Sequence, residues 1–495
     1  MTSHESPPDI EYPEKIDGPV LKIAGVVVLG AIMSILDITV VSVALPTFQD
    51  VFDASYATVA WTMTAYTLAL ATVIPLTGWA ADRFGTKRLY LTALFLFTAG
   101  SVLCAVATSV EMLVVFRVLQ GLGGGMLMPL GMTILTRAAG PDRIGRLMAV
   151  LGIPMLLGPI MGPILGGWLI DIASWHWIFL INLPIGVAAL VYSQRVLPRD
   201  TPTPGERFDF MGMLLLSPGL ALFLFGVSSV AEGGEGASFG PRVWVSATIG
   251  VLLIVAFVFH ALRTDKPLID LRLFRNRRLT IATVSMFVFI VAFMGAGLLF
   301  PSYFLQVRGE TTLMAGLLIA PQGLGAMVTM PIAGVLADKI PIGRTVPFAL
   351  ALMAAGFYVF TQVGADTSYW VLCGALFVMG LGMGGTMMPI MTSALKSLTN
   401  HEVARGSTIV NIVQQIGGSI GTAVLSVVLT NQLTSTPPDG VAPLEFMADG
   451  FGTTFMVAFV LVLLALIPVA FLPRKKEESH FDDEDGATAA PIMMH

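Results

Sequence analysis

Charged residues are scarce in this chain: Asp, Glu, Lys and Arg make up 12% of its 495 residues, whereas 55% are hydrophobic. An ordinary soluble domain carries about twice that charged fraction, so the composition excludes this class of protein. Most of the positive residues lie in the segments between apolar runs or at the ends of these runs, a layout that excludes a nucleic-acid-binding surface. The sequence therefore predicts an all-α integral membrane protein, whose helices satisfy their own backbone polar groups.

Cysteine is also scarce, and the sequence motifs of common enzymes are missing. Cys104 and Cys373 both lie in apolar runs, which excludes a disulfide framework or a thiolate metal site. The chain has no Gly-Lys dipeptide, and hence no ATP-binding P-loop, and no H-E-x-x-H zinc motif. Two matches to catalytic patterns, GLGMGG at 380–385 and GGSIG at 417–421, lack the preceding strand that such motifs require. We expect no enzymatic activity, no metal, no cofactor and no use of ATP.

Long apolar runs, in contrast, are abundant. Fourteen of them are long enough to cross about 30 Å of hydrocarbon as a helix. They cover residues 20–44, 57–80, 89–107, 112–134, 145–169, 177–194, 209–230, 243–262, 279–300, 314–337, 345–363, 369–392, 407–430 and 450–472.

Lys and Arg are distributed unequally between the two sides of these fourteen runs. Twenty-four of the 27 positive residues fall on one side, Arg242 and Arg308 fall on the other, and Arg117 lies within a run. Positive residues are retained in the cytoplasm. The chain is therefore predicted to span the plasma (inner) membrane many times, with both termini cytoplasmic.

Two sequence segments recur at a nearly constant separation. GWAADRFGTKR at 78–88 resembles GVLADKIPIGR at 334–344, 256 residues later, and GGMLMP at 124–129 resembles GGTMMP at 384–389, 260 residues later. The second and fourth runs thus correspond to the tenth and twelfth, an even shift that preserves orientation. This repeat predicts two parallel six-helix halves with two extra helices between them, a plan known among transporters.

The predicted domain organisation follows from this 6+2+6 arrangement. In order along the chain, we expect a cytoplasmic tail, a first six-helix bundle, a two-helix insertion with a basic linker, a second six-helix bundle and an acidic tail. Within the linker, LIDLRLF at 268–274 predicts a short amphipathic helix at the membrane surface. The corresponding ranges are 1–19, 20–200, 201–278, 279–473 and 474–495.

Asp37 and Arg117 are ionisable residues inside apolar runs. At a rise of about 1.5 Å per residue, Asp37, which is nine residues before Pro46, lies about 14 Å below the outer end of its helix, and Arg117 lies about 8 Å below the outer end of its own, so their depths overlap. Intramembrane charges are energetically costly and usually mark ion or proton pathways. We expect the two residues to couple protons as a pair or as a water-linked relay; a fixed structural bridge between helices is the alternative.

Two glycine-containing segments are candidates for conformational gating. In the loop at 78–88, glycines allow close approach of helices and a tight turn, and the charged residues can hold the cytoplasmic face closed in one conformation. The alternative is that these charges only fix the orientation of the helices in the membrane. The segment at 152–167 combines glycine and proline, so that its helix can bend and pivot, although plain packing explains it equally well. The candidates are Gly78, Asp82, Arg83, Gly85, Lys87, Arg88, Gly158, Pro159, Gly162, Pro163, Gly166 and Gly167.

Several polar side chains within or beside the apolar runs are candidates for lining a substrate cavity. Methionines, whose side chains adapt to varied apolar ligands, cluster near them in sequence. Ordinary packing between helices is the alternative for each. The candidates are Tyr66, Gln120, Tyr303, Gln306, Gln322, Asn411, Gln414 and Gln415.

These motifs together resemble the major facilitator superfamily. The loop at 78–88, RVLQGLGGG at 117–125 and GPIMGPILGG at 158–167 are similar to its signatures for the helix 2–3 loop, helix 4 and the helix 5 antiporter motif. Three further segments resemble its fourteen-span drug:proton antiporter family (EmrB/QacA type). They are LDITVVSVALP at 36–46, WTMTAY at 61–66 and SWHWIFLINLPIG at 174–186.

The resemblance implies proton-driven export of lipophilic compounds. It makes Asp37 the coupling carboxylate, Arg117 the basic residue of proton transfer, and the glycines and prolines of 158–163 the antiporter motif. The sequence departs from the family at His176, where Arg is common. The second half also lacks the additional membrane carboxylates of some drug exporters, which argues against several protons per cycle.

The sequence thus predicts a multidrug exporter that exchanges its substrate for protons. Its expected partners are a lipophilic small molecule or lipid as substrate and the surrounding membrane lipid, with a periplasmic adaptor protein as a further candidate. Export of an endogenous lipid or metabolite fits the apolar, methionine-rich cavity candidates equally well. A non-transporting sensor or a membrane enzyme is a distant alternative, because no convergent set of catalytic residues occurs.

Overall fold

The structure, a computed structural model, describes residues 17–139, 143–198, 208–232, 241–399, 402–434 and 442–474, and these ranges contain no β-strand. Long helices dominate it, as the apolar runs predict. The fifteen α-helices of these ranges are α1 (Gly18–Phe52), α2 (Tyr56–Phe84), α3 (Thr86–Ala105), α4 (Val110–Ala139), α5 (Ile144–Ile172), α6 (His176–Leu180), α7 (Asn182–Val196), α8 (Phe210–Glu232), α9 (Pro241–Arg263), α10 (Arg277–Gln306), α11 (Thr312–Lys339), α12 (Ile342–Thr361), α13 (Tyr369–Lys396), α14 (Val403–Thr434) and α15 (Pro443–Val469).

Each of the fourteen predicted runs forms one helix, except the sixth, which forms two. The sixth run forms both α6 and α7, which are separated only at Ile181, a residue whose backbone angles remain helical. Within the described residues, thirteen segments are long and apolar enough to cross a membrane, counting α6 and α7 as one. The 29-residue helix α5 accounts for the remaining run.

Most of the helices are longer than the apolar runs that predicted them. The sequence places the end of the first helix at residue 44, but α1 continues through Pro46 to Phe52. Hydropathy detects the part of a helix that lies in hydrocarbon, whereas hydrogen bonding continues into the polar interface on either side. The amphipathic segment of the linker forms a short 3-10 helix, Leu271–Arg275, instead of an α-helix.

Glycines allow α4 and its neighbouring helices to pack so closely that their backbones are in contact. A Cβ atom at Gly121 would lie 2.6 Å from the carbonyl oxygen of Tyr66 in α2, and one at Gly100 of α3 would lie 2.7 Å from the Cα of Gln120. The obstructing atoms are mostly backbone, which cannot yield as a side chain can. This contact places the polar side chains of α4 beside α1 and α2 in the interior.

Close packing of helices at glycine also occurs in the second half of the chain. Helix α13, the counterpart of α4 in the repeat, packs against both α11 and α12. A Cβ atom at Gly384 would lie 2.8 Å from the carbonyl oxygen of Ala326 in α11. Helices α10, α12 and α15 pack around a buried aromatic group that includes Phe300, Phe360 and Phe455.

The two helical groups, α1–α7 and α10–α15, meet where α5 contacts α11 and where α14 contacts α2 and α4. We call the side of the bundle on which α2 ends and α3 begins the basic face. Hydrogen bonds between the groups lie toward this face. The hydroxyl oxygens of Thr133 and Ser407 are 2.8 Å apart, and the amide of Asn411 donates to the sulfur of Met132 at 3.0 Å. These contacts close the basic face between the two groups.

The two inserted helices cover one of these seams. Helix α8 packs against α9 on one side and against both α2 and α14 on the other. Its Phe225 ring stacks on Trp61 of α2, with ring centres 5.5 Å apart. At the basic face, Asp209 accepts hydrogen bonds from the backbone of Leu268 at 3.0 Å and contacts the ring of His260 at 2.8 Å. The insertion and the start of the linker are thus fixed together.

Candidate functional site

Asp37 and Arg117 form a direct ion pair in the interior of the first group of helices. Nη1 of Arg117 donates to Oδ2 of Asp37, and neither side chain has any exposed surface. Asp37 lies near the middle of the 35-residue helix α1, and Arg117 lies in the second turn of α4. The sequence left open a pair or a water-linked relay, and the structure has the pair.

Three further polar side chains, those of Gln120, Asn182 and Ser101, bind to this pair. We call the five residues together the Asp37 cluster. Oδ1 of Asp37 accepts hydrogen bonds from Gln120 Nε2 at 2.7 Å and from Asn182 Nδ2 at 3.3 Å. Both amides also donate to the hydroxyl of Ser101, at 3.2 and 3.0 Å, and that hydroxyl donates to the carbonyl oxygen of Phe179. Helices α1, α3, α4 and α7 each contribute at least one member.

The Arg117 guanidinium is fixed from several directions. Its Nε donates to the carbonyl oxygen of Thr62 at 3.0 Å, and its Nη1 donates to Gln120 Oε1 at 2.7 Å. The ring of Tyr66 lies against it, with the guanidinium carbon 4.1 Å from the ring centre, a cation–π geometry. Its Nη2 has no hydrogen-bond partner among the described residues. The cation is therefore held in place by α2 as well as by Asp37.

The hydrogen bonding suits the ionised form of Asp37. Its described contacts with Arg117, Gln120 and Asn182 are all made to donors, and an ionised carboxylate only accepts. A protonated carboxyl carries a hydrogen of its own, which needs an acceptor. Protonation of Asp37 removes the negative charge that attracts Arg117 and adds a hydrogen that needs an acceptor. Because the cluster joins four helices, such a change affects how they pack.

Asn182, Ser101 and Thr62 were not identified from the sequence. Asn182 and Ser101 were detectable in principle as polar residues inside the apolar runs 177–194 and 89–107. Thr62 acts through its backbone carbonyl, which no side-chain pattern reveals. Which of the many small polar residues meet Asp37 depends on the rotation of each helix about its axis.

The structure separates the predicted cavity residues into different environments. Tyr66 and Gln120 lie in or against the Asp37 cluster, and Asn411 lies at the contact between α14 and α4. Tyr303 is fully buried and donates to the carbonyl oxygen of Gly364 at 2.8 Å. The remaining four are at least partly exposed, and of these Gln322 contacts the sulfur of Met379 at 3.5 Å: Gln306, Gln322, Gln414 and Gln415.

The segment 78–88 was expected to be a loop, but only Gly85 lies between α2 and α3, and the other candidates of this segment lie within the two helices. The last turns of α2 bring two gating candidates, Gly78 and Asp82, to the seam between the helical groups. Asp82 lies 3.6 Å from Arg137 of α4 and 3.7 Å from Arg405 of α14. A Cβ atom at Gly78 would lie 3.3 Å from the carbonyl oxygen of Ala404. The sharp turn occurs at Gly85, which has a φ of 93°.

The other charged candidates of this segment take no part in the two ion pairs of Asp82 described above. Arg83 and Arg88 are exposed. The ammonium of Lys87 donates to the carbonyl oxygens of Gln194 and Leu197, at 2.8 and 2.7 Å. Lys87 therefore joins the start of α3 to the carboxyl end of α7.

Three glycines of α5, Gly158, Gly162 and Gly166, face α1, the helix that carries Asp37. Thr39 of α1 donates to the carbonyl oxygen of Gly158 at 3.1 Å, and Gly162 also meets Thr39. A Cβ atom at Gly166 would lie 3.2 Å from the carbonyl oxygen of Val40, whereas one at Gly167 would meet nothing within 4 Å. The side chains of Pro159 and Pro163 lie outside the described residues.

Comparison with known proteins places these features in a family. The sequence profile of the Major Facilitator Superfamily matches residues 27–422. The chain is 48% identical over 503 aligned positions to the Multidrug resistance protein B homolog of Mycobacterium tuberculosis H37Rv, covering 95% of this chain and 93% of that protein. It is 33% identical to the Multidrug export protein EmrB of Escherichia coli K12, covering 82% of this chain and 79% of EmrB.

Solved structures of low sequence identity share the fold. The human organic anion transporter MFSD10 superposes with a TM-score of 0.62 at 17% identity, covering 90% of this chain and all of that one. The proton:xylose symporter XylE superposes with a TM-score of 0.62 at 15% identity, covering 93% of this chain and 97% of that one. The helical architecture predicted from the sequence is therefore confirmed.

Proposed function

Because this chain belongs to the major facilitator superfamily and is a transporter related to multidrug efflux proteins, we propose that it exports lipophilic compounds in exchange for protons. The observation that carries this proposal is the Asp37–Arg117 pair, which is fully buried in a membrane-spanning helical bundle. Burying two charges is costly, and breaking one partner away is costlier still. A carboxylate whose protonation disrupts that pair can link proton uptake to a change of conformation.

The proposed cycle starts from the state in which the basic face is closed. A proton from outside reaches Asp37, displaces a donor and weakens the hold of Arg117 on α1. The two bundles, 20–200 and 279–473, then rock so that the contacts of Asp82 and Ser407 break and the basic face opens to the cytoplasm. Substrate enters from the cytoplasm or the inner leaflet, Asp37 releases its proton, and the loaded transporter returns.

We propose that substrate binds between the bundles. Gln414 and Gln415 are partly exposed on α14, and Gln322 is partly exposed on α11. Few hydrogen-bonding groups among apolar side chains favour lipophilic ligands of varied shape over one closely matched polar compound. The glycine face of α5 against α1 gives a smooth contact along which α1 can shift when Asp37 changes its charge.

Transport in proteoliposomes tests the proposed function. Purified protein is reconstituted with a lipophilic fluorescent dye, and a pH gradient of either direction is imposed. We expect dye movement only opposite to the proton gradient, and its loss when a protonophore collapses the gradient. Dye movement that is independent of the pH gradient would contradict proton exchange. Competition by extracted membrane lipids, without competition by other lipophilic drugs, would instead favour a dedicated lipid exporter.

A reversible cross-link at the basic face is expected to stop transport. Thr133 and Ser407 lie on different helical groups with their hydroxyl oxygens 2.8 Å apart, so cysteines there fall within disulfide range. In a Thr133→Cys/Ser407→Cys variant, oxidation should abolish dye transport by holding this face closed, and reduction should restore it. The controls are Thr133→Cys alone and Ser407→Cys alone, treated identically. Undiminished transport by chains shown to contain the disulfide would contradict alternating opening of this face.

A further inference from the structure

A groove on the outer surface of the first helical group lies between α3 and α7, and none of its lining residues belongs to the Asp37 cluster. It has a volume of about 540 Å³. Because α3 starts and α7 ends at the basic face, both sides of the groove terminate at the same membrane surface. The lining residues are Leu91, Thr92, Phe95, Leu190, Val191, Gln194 and Arg195.

The wall of the groove that extends away from the basic face is apolar. Leu91 and Phe95 are one helical turn apart on α3, and Leu190 and Val191 oppose them on α7. The Phe95 side chain is 60% exposed and Val191 is 46% exposed. In a membrane, such side chains lie in the hydrocarbon of the bilayer. The apolar side chains of this wall suit contact with an acyl chain.

The end of the groove at the basic face is polar and cationic. Gln194 and Arg195 lie in the last turn of α7 and are exposed. The carboxyl end of a helix normally repels an anion, but here the ammonium of Lys87 occupies the carbonyl oxygens of Gln194 and Leu197. Helices α3 and α7 contain no Asp or Glu, so neither supplies a carboxylate to neutralise Arg195.

We propose that this groove binds one anionic phospholipid of the cytoplasmic leaflet. The phosphate and the anionic headgroup contact Arg195 and the amide of Gln194, and an acyl chain lies along Leu91, Phe95 and Leu190. Basic residues at the membrane surface favour anionic lipids, by about fivefold for each arginine near the headgroups. An apolar wall that continues into a cationic end at headgroup level matches a lipid, whereas a free phosphate would use only the cationic end.

Native mass spectrometry of the purified full-length chain tests the assignment. The protein is titrated with phosphatidylglycerol or with phosphatidylcholine of the same acyl chains, and bound lipid is counted. We expect one phosphatidylglycerol to be retained in preference to phosphatidylcholine. Arg195→Gln should reduce this preference by about fivefold. Leu91→Trp should fill the groove and reduce retention of that lipid while leaving every charge in place.

Two substitutions outside the groove serve as matched controls. Arg263→Gln removes an exposed cation from the end of α9, and Leu252→Trp enlarges a 61% exposed leucine in the middle of the same helix. Both should bind phosphatidylglycerol as the unmodified chain does. Equal losses in test and control variants, or no loss in Arg195→Gln and Leu91→Trp, would overturn the proposal. Displacement of the lipid by excess inorganic phosphate would likewise show that the cationic end alone is a phosphate site.

Discussion

Asp37→Asn is expected to destabilise the folded chain by about 3–5 kcal/mol, because it leaves the buried cation of Arg117 without its counter-charge. The guanidinium cannot lose its proton, and Tyr66 and the carbonyl oxygen of Thr62 only partly compensate for the missing charge. Arg117→Gln should cost less, since the Asp37 carboxylate can neutralise itself by binding a proton. The free energy of unfolding, measured by titration with a denaturing detergent in mixed micelles, checks both values.

The double variant Asp37→Asn/Arg117→Gln completes the comparison. Replacing both charged residues by neutral polar ones removes the unpaired charge, so the double variant should be more stable than Asp37→Asn alone. A non-additive result of this sign identifies a direct charge interaction. If the two single substitutions add without any interaction energy, the pair does not contribute to the packing of α1 against α4.

Asp37→Asn is also expected to reduce transport driven by a pH gradient to the level of protein-free vesicles. Asparagine has nearly the same shape but does not exchange protons, so the cluster keeps one arrangement throughout the cycle. Dye flux in proteoliposomes with an imposed gradient provides the measurement. Asp37→Asn/Arg117→Gln should be equally inactive, which separates loss of proton exchange from loss of stability. Gradient-driven flux at the unmodified rate in either variant would show that another group carries the proton.

The helices and their order could be predicted because membrane insertion imposes strong and local sequence requirements. About 20 apolar residues are needed for each span. Lys and Arg are enriched in the connections on the cytoplasmic side of a membrane protein. The repeat of 78–88 at 334–344 then gave the pairing of the two halves. The ends of α1 and α14 were underestimated because hydrogen bonding continues beyond the apolar run.

The candidate site could be predicted only in part. Asp37 and Arg117 stand out because charge is rare inside apolar runs, and their depths indicated that they can meet. The roles of Asn182 and Ser101 depend on how α7 and α3 are rotated, and on the close approach permitted by Gly100 and its neighbours. That information is distributed over many packing contacts and produces no local pattern.

In the proposed cycle, Asp37 exchanges a proton as substrate binds. The most direct test is to add substrate to purified protein in weakly buffered detergent solution and to record proton release with a pH indicator. We predict that the unmodified chain releases protons in proportion to the substrate bound, and that Asp37→Asn/Arg117→Gln binds substrate without release. Equal release from both proteins, or no release from the unmodified chain at any pH at which it transports, would contradict proton exchange at Asp37.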